Sequence, residues 1–197
     1  MEITAKMIKA LRDETSAGIL DCKEALTEAD GDVAKAKKIL MAKSKAIASK
    51  KSGRSAKEGV ISAYIHSGER VGVMIEVNCE SDFVARSDVF KGFVQDLNLQ
   101  ITAMSPRFVS VDDVDRAEME EMSSLYKAEA LKSGKPEKVL DNIVKGRLNK
   151  LYQDIVLLEQ PYVRDDSKKV KDVLTEVIGK LGENIVIKRF VRYELGN

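Results

Sequence analysis

Apolar residues in the first 41 positions recur every three or four residues, in three segments separated by polar and glycine-containing breaks. Thr4 stands where an N-cap is needed, and Met7, Ala10 and Leu11 follow at helical spacing. Thr15-Ser16-Ala17-Gly18 interrupts that pattern. A second helix is predicted from Ile19, with Cys22, Ala25, Leu26 and Ala29 on one face and a stop at Asp30-Gly31. Asp32 then caps a third, through Val33, Ala36 and Leu40. Three short helices with an Ala-rich inner face predict a miniature bundle, marginally stable by itself. Residues 42–58 read as a solvated helical tail fading into a linker.

At Gly59 the period changes to two. Residues 60–66 and 71–77 predict a β-hairpin around Ser67-Gly68-Glu69-Arg70, with Val71, Val73, Ile75 and Val77 sharing a face. After Asn78–Arg86, Phe90, Phe93, Val94, Leu97 and Ile101 mark a helix that begins near Ser87 and ends before Pro106. Met119, Met122, Tyr126 and Ala130 form one stripe and Leu140, Val144, Leu148, Leu151 and Ile155 another. The Ser133-Gly134-Lys135-Pro136 turn between them predicts an antiparallel helical hairpin at about 115–157. A helix near 168–181 precedes 185–193, a strand suited to become the third member of the sheet. The pattern is α+β: an N-terminal three-helix bundle with its basic linker over 1–54, then a core over 55–197. That core holds a small antiparallel three-stranded sheet, packed helices and the helical hairpin.

Composition narrows the class. Apolar residues reach 44%, sufficient for a packed core, and charged residues 33%, with 33 basic against 32 acidic. That balance argues against a protein built to grip nucleic-acid phosphates. Residues 1–57 carry 13 Lys/Arg against 8 Asp/Glu, whereas the remaining 140 carry 20 against 24. The asymmetry points to a separate N-terminal unit with an acidic partner. Six basic residues fall within 42–58, but no aromatic interleaves them, which weakens the reading of a nucleic-acid arm. No apolar run approaches ~18 residues, so no membrane span is expected. The N-terminus has no signal-peptide h-region, which makes the cytoplasm the expected location.

Candidate chemistry is sparse. There is no phosphate-binding glycine loop, and the single histidine, His66, excludes a multi-histidine metal site. Cys22 and Cys79 form no C-x-x-C pair. Cys79, His66 and Asp82 could be drawn as nucleophile, base and orienter. Cys79 instead reads as a small buried residue closing an apolar strand, and His66 as a hairpin-tip residue. Asp112-Asp113 and Asp165-Asp166 read as helix starts. No catalytic residue, metal ligand or cofactor site is assigned. One segment stands out, because Asp82 and Phe83 sit in the connection that leaves the second strand. Ser81 or Asp82 could cap a short turn with Phe83 folded back on the core, and periodicity alone favours that. The functional alternative is a loop-borne aromatic beside an acid, presented to a partner.

Five segments together resemble the bacterial elongation factor Ts family over essentially the whole length. They are Lys9-Ala10-Leu11-Arg12-Asp13-Glu14-Thr15-Ser16-Ala17-Gly18-Ile19-Leu20-Asp21-Cys22-Lys23-Glu24-Ala25-Leu26; Glu76-Val77-Asn78-Cys79-Glu80-Ser81-Asp82-Phe83-Val84-Ala85-Arg86; Ser133-Gly134-Lys135-Pro136 with Lys145-Gly146-Arg147-Leu148; Leu158-Glu159-Gln160-Pro161; and Gly182-Glu183-Asn184-Ile185. The resemblance implies a guanine-nucleotide exchange factor of translation elongation without a chemical active site. It would bind elongation factor Tu, GDP-bound and nucleotide-free, with a UBA-like N-terminal bundle. Docking positions would be Arg12, Ile19, Leu20 and Lys23. Ser81, Asp82, Phe83 and Val84 would disturb the partner's magnesium site, so that GDP leaves and GTP enters. Neither membrane nor direct nucleic-acid binding is implied.

The chain departs from the family in two places and looks like its short form. Ser81 stands where the family usually has Thr, which keeps the hydroxyl and loses a methyl. Some short members dimerise, and one arrangement places a cysteine near the C-terminal strand where this chain has Val191, so a homodimer here would lack that disulfide. Among readings outside the family, a module for ubiquitin-like or helical partners suits the bundle but leaves 59–197 unexplained. An RNA-binding protein rests on the lysines of 43–57, and a small hydrolase on Cys79 alone.

Overall fold

A computed structural model describes residues 2–15 and 17–196. Its described residues form eight α-helices and a three-stranded antiparallel sheet, an α+β fold. They divide into two compact units. The first holds the residues through Val60 together with Val77–Phe93 and Asp172–Val186. The second holds Ile61–Glu76, Val94–Lys171 and the residues from Ile187 onward.

In the first unit, α1 (Ala5–Thr15), α2 (Ile19–Glu28) and α3 (Val33–Lys51) make the bundle. The Thr4 hydroxyl accepts the Met7 N–H at 3.3 Å, the cap expected from sequence. The chain turns after α2 at Asp30 and Gly31, both with positive φ, and Gly31 N–H reaches back to Leu26 O at 2.8 Å. Asp32 caps α3 by accepting the Lys35 N–H at 3.0 Å. The core is Leu11, Cys22, Ala25, Leu26, Ala29, Ala36 and Leu40, with Ile3, Met7, Ile8, Ala17 and Ile39 packed on it. Small Ala and Cys side chains let the helix axes approach closely. Ala10 and Val33, expected inside, are exposed, while Ile8 and Ile39 pack on the core. Ser16, part of the expected break after α1, lies outside the described residues.

The tail after residue 41 stays helical to Lys51, and Lys50 and Lys51 in its last turn complement the helix dipole. Beyond it, β1 (Glu58–Ile65) and β2 (Val71–Cys79) pair. Gly59 has φ +139°, and a Cβ there would lie 2.2 Å from Val77 O, so only glycine fits that approach. The short α4 (Asp82–Arg86) and the start of α5 (Asp88–Met104) follow. Later in the chain, α8 (Val170–Leu181) runs close to α3, since a Cβ on Gly179 would meet Ser44 Oγ at 2.5 Å. Gly182, with φ +70°, ends that helix.

In the second unit, β5 (Val186–Glu194) joins the hairpin in the order β1-β2-β5, as its predicted third member. Val73 and Ile75 are buried while Met74 between them is exposed. The hairpin of α6 (Arg116–Lys132) and α7 (Glu137–Ile155) is present, closed at Gly134. Ala130, Leu140 and Val144 are buried in it, and Arg147 stacks over Tyr126 at 5.4 Å. Gln100 and Gln160 are fully buried with their amides bonded to one another at 3.1 Å and to nearby backbone groups. A two-stranded element, β3 (Pro161–Tyr162) with β4 (Asp165–Lys169), was not expected. Asp165-Asp166 therefore lies in a strand instead of starting a helix. The Asp165 carboxylate accepts both the N–H and the hydroxyl of Ser167, a local turn that replaces the helix cap. Asp112-Asp113 does open a helical turn, where Asp113 accepts the Ser110 N–H at 2.8 Å.

Candidate functional site

The expected docking residues all lie on the bundle. Arg12 and Lys23 are exposed, on α1 and α2, and Ile19 and Leu20 open α2 with 55% and 74% of their surface in water. Two large apolar side chains in the first turn of a helix whose inner face is already packed by Cys22, Ala25 and Leu26 stand outside this unit's core. The first turn is braced from behind. Lys43 of α3 donates to Asp21 and, at 3.1 Å, to Glu24. These hydrogen bonds, that to Asp21 first and that to Glu24 next, hold its ammonium above the ordinary lysine pKa.

Ser81, Asp82, Phe83 and Val84 belong to the same unit, where β2 hands over to α4. Ser81 is the N-cap, and its hydroxyl accepts the Val84 N–H at 3.4 Å. Asp82 pairs with Arg86 at 2.8 Å, one helical turn on. Ala85 is buried and Val84 half-buried, so successive steps of 100° turn Phe83 outward. Phe83 is 81% exposed, which overturns the expectation from periodicity that it folds back on the core. The physical reason is the one-turn helix: it uses Val84 and Ala85 as its inner contacts and leaves no inward position for residue 83.

The Cys79, His66 and Asp82 constellation looks different in the structure. Cys79 is fully buried and donates its thiol hydrogen to Ser81 O at 3.1 Å. Burial, and after it the charge of Glu183, push the thiol pKa up, away from the thiolate a nucleophile needs. The Asp82 carboxylate is engaged by Arg86, and the His66 ring by the Tyr64 hydroxyl at 3.1 Å. Among the described residues no group of three His, Cys, Asp or Glu side chains could hold a metal ion, and no helix is long and apolar enough to cross a membrane.

Sequence reasoning missed the residues that hold the Ser81 turn. Glu183 Oε2 accepts the N–H groups of Glu80 and Ser81 at 3.1 and 3.0 Å, and its Oε1 accepts the Ser81 hydroxyl at 2.6 Å. Glu80 in turn accepts the Asn184 N–H at 2.7 Å and pairs with Arg54 at 3.4 Å. The Asn184 bond is the main cause holding the Glu80 carboxyl below its usual pKa, with Arg54 adding to it. Gly182-Glu183-Asn184 was visible as a motif, but nothing in a linear pattern links it to a turn about a hundred residues away.

The geometry therefore offers a three-helix bundle that exposes Ile19 and Leu20, with Lys23 one turn on along α2, and a capped turn that carries an exposed aromatic. The sequence profile described as Elongation factor TS matches residues 1–197. The chain is 55% identical to "Elongation factor Ts" of Thermoanaerobacter sp. (strain X514) over 194 residues, 98% of this chain and 95% of that protein. It is 53% identical to "Elongation factor Ts" of Coprothermobacter proteolyticus over 196 residues, the full length of both. With "Elongation factor Ts" of Caldanaerobacter subterraneus the identity is 52%, over 98% of this chain and 97% of the relative. The chain belongs to the elongation factor Ts family, nucleotide-exchange factors of translation elongation.

Proposed function

We propose that this chain binds elongation factor Tu, both GDP-bound and nucleotide-free, and drives GDP release by loosening the partner's magnesium and phosphate contacts without chemistry of its own. Residues 1–54 form the docking domain and 55–197 the core. Arg12, Ile19, Leu20 and Lys23 dock on the partner's nucleotide-binding domain. Asp82 and Phe83 insert near its magnesium site, with Ser81 and Val84 forming the frame of the turn. GDP leaves, and GTP enters from the cytoplasmic pool. The observation that carries this reading is the exposure of Phe83 on a capped turn, in a chain of this family.

Magnitudes require both patches. Each tenfold acceleration of release needs about 1.4 kcal/mol of differential stabilisation. Burial of one Phe contributes only ~1.5–3 kcal/mol. Several decades cannot come from Phe83 alone, so the bundle must hold the factor in place while the wedge acts. Reciprocity follows: a factor that weakens nucleotide binding is itself weakened by nucleotide, which is how it leaves. Stopped-flow release of fluorescent GDP from purified elongation factor Tu tests the proposal. Release that accelerates with factor concentration and saturates is expected, and a rate independent of the factor would refute it.

The second unit supplies a surface for a homodimer. Ile61 and Ile65 of β1, Met74 of β2 and Tyr193 of β5 are exposed, and Ile65 lies over Gly72, 2.9 Å from where a Cβ would be. Both β1 and β5 are edges of the sheet. A second copy covers such an apolar surface economically. Light scattering at micromolar concentration should give twice the 21.8 kDa chain mass, and a clean monomer removes the idea.

A further inference from the structure

The chain leaves β2 at Cys79, and from there the N–H groups of Glu80 and Ser81 have no strand to pair with. One carboxylate takes both, since Glu183 Oε2 lies 3.1 and 3.0 Å from them. The other oxygen of that carboxylate takes the Ser81 hydroxyl hydrogen at 2.6 Å. A serine hydroxyl has a single hydrogen, so donation to Glu183 fixes the rotor and leaves a lone pair facing the Val84 N–H at 3.4 Å. The cap that starts the Asp82–Phe83 turn is thus set by Glu183.

The next residue extends the grip toward the bundle. Asn184 is buried, and its side-chain amide donates to the carbonyls of Ser52 and Arg54, at 3.4 and 2.8 Å, just beyond the end of α3. Its backbone N–H donates to Glu80, whose second oxygen pairs with the Arg54 guanidinium. Arg54, Glu80 and Asn184 therefore close a ring that joins the end of α3 to the residue before the cap.

We propose that Glu183 and Asn184 form a clamp that fixes the Phe83 turn against the end of α3, which makes Glu183 a positioning residue for nucleotide exchange; this rests on the wedge reading above. An exposed aromatic inserts productively only when its backbone is oriented in advance, because a loose turn loses ordering entropy at the moment of binding. Charge-assisted hydrogen bonds from two amides and a hydroxyl supply that orientation.

The test is a cycle on the full-length chain: Phe83→Ala, Glu183→Gln, Glu183→Ala and each of the latter combined with Phe83→Ala. Glu183→Gln keeps shape and can still accept the two amides through one oxygen, but its NH2 cannot accept the Ser81 hydroxyl hydrogen. Saturating GDP release from elongation factor Tu should fall by about fivefold for Glu183→Ala and less for Glu183→Gln, with half-saturation unchanged within about twofold. Combined with Phe83→Ala, either Glu183 change should cost less than about twofold more, because both act through one side chain. Amide hydrogen exchange should quicken at Val84 in folded Glu183→Gln, and at Glu80 and Ser81 as well in folded Glu183→Ala. If the rate losses multiply, or Glu183→Ala leaves those amides and release unchanged while Phe83→Ala is slow, the clamp is wrong. If Phe83→Ala itself releases GDP at the wild-type rate, the wedge reading fails, and the clamp has nothing to position.

Discussion

Leu20→Asp should raise the factor concentration needed for half-maximal GDP release by about 30-fold or more and leave the saturating rate near wild type. Leu20 is 74% exposed at the start of α2, so the free protein gains little from its apolar surface. Burial of a leucine at an interface contributes ~1.5–3 kcal/mol, and an unpaired carboxylate in its place adds a desolvation cost. At about 1.4 kcal/mol per tenfold, the two together exceed a decade and a half. The fold should tolerate the change, because an acid in the first turn of a helix interacts favourably with the dipole, by about 0.3–1 kcal/mol. Leu26→Ala is the opposite control. Leu26 is fully buried in the bundle core, and its truncation should cost ~2–5 kcal/mol of stability. A Leu20→Asp variant that melts normally and exchanges with unchanged half-saturation would remove α2 from the docking surface.

These expectations draw on what was legible in the sequence and on what was not. Asp32 read correctly as a cap because an Asp before an apolar-periodic run has one local partner, the N–H three residues on. The sheet read correctly because period-two alternation in Val71–Cys79 leaves one face for burial. The β3–β4 pair escaped because Pro161–Tyr162 is too short to show a period and Asp165–Lys169 is polar throughout. Ala10 was misplaced because alanine carries too little apolar surface to define a face. Family motifs pointed to Asp82 and Phe83, but periodicity turned Phe83 inward, since a one-turn helix is too short to repeat a 3.6-residue period. Glu183 is the clearest case of what a linear reading leaves out. Its partners are Glu80 and Ser81, and only the folded chain brings the two turns together.

Phe83→Ala should lower the saturating rate of GDP release by about tenfold while leaving the melting temperature almost unchanged, and Asp82→Ala should act in the same direction with a smaller effect. The stability half of this expectation follows from exposure. A core phenylalanine loses ~3–5 kcal/mol on truncation, and Phe90, fully buried in α5, should show that loss. Phe83, 81% in water, has little burial to lose. Asp82 pairs with Arg86 across one helical turn, a partly exposed pair worth about 0.5 kcal/mol in the free protein. The kinetic half follows from the wedge. An aromatic that enters the partner only as nucleotide leaves is bound more tightly in the open state than before it, so its removal falls on the maximal rate. Half-saturation, which the proposed docking assigns to the bundle, should stay within about threefold of wild type. Leu20→Asp and Phe83→Ala thus move different parameters, and their combination should add in free energy, as for separate sites. A Phe83→Ala protein with a large drop in Tm and normal exchange per folded molecule would return Phe83 to the core. The bundle would then be the sole candidate site.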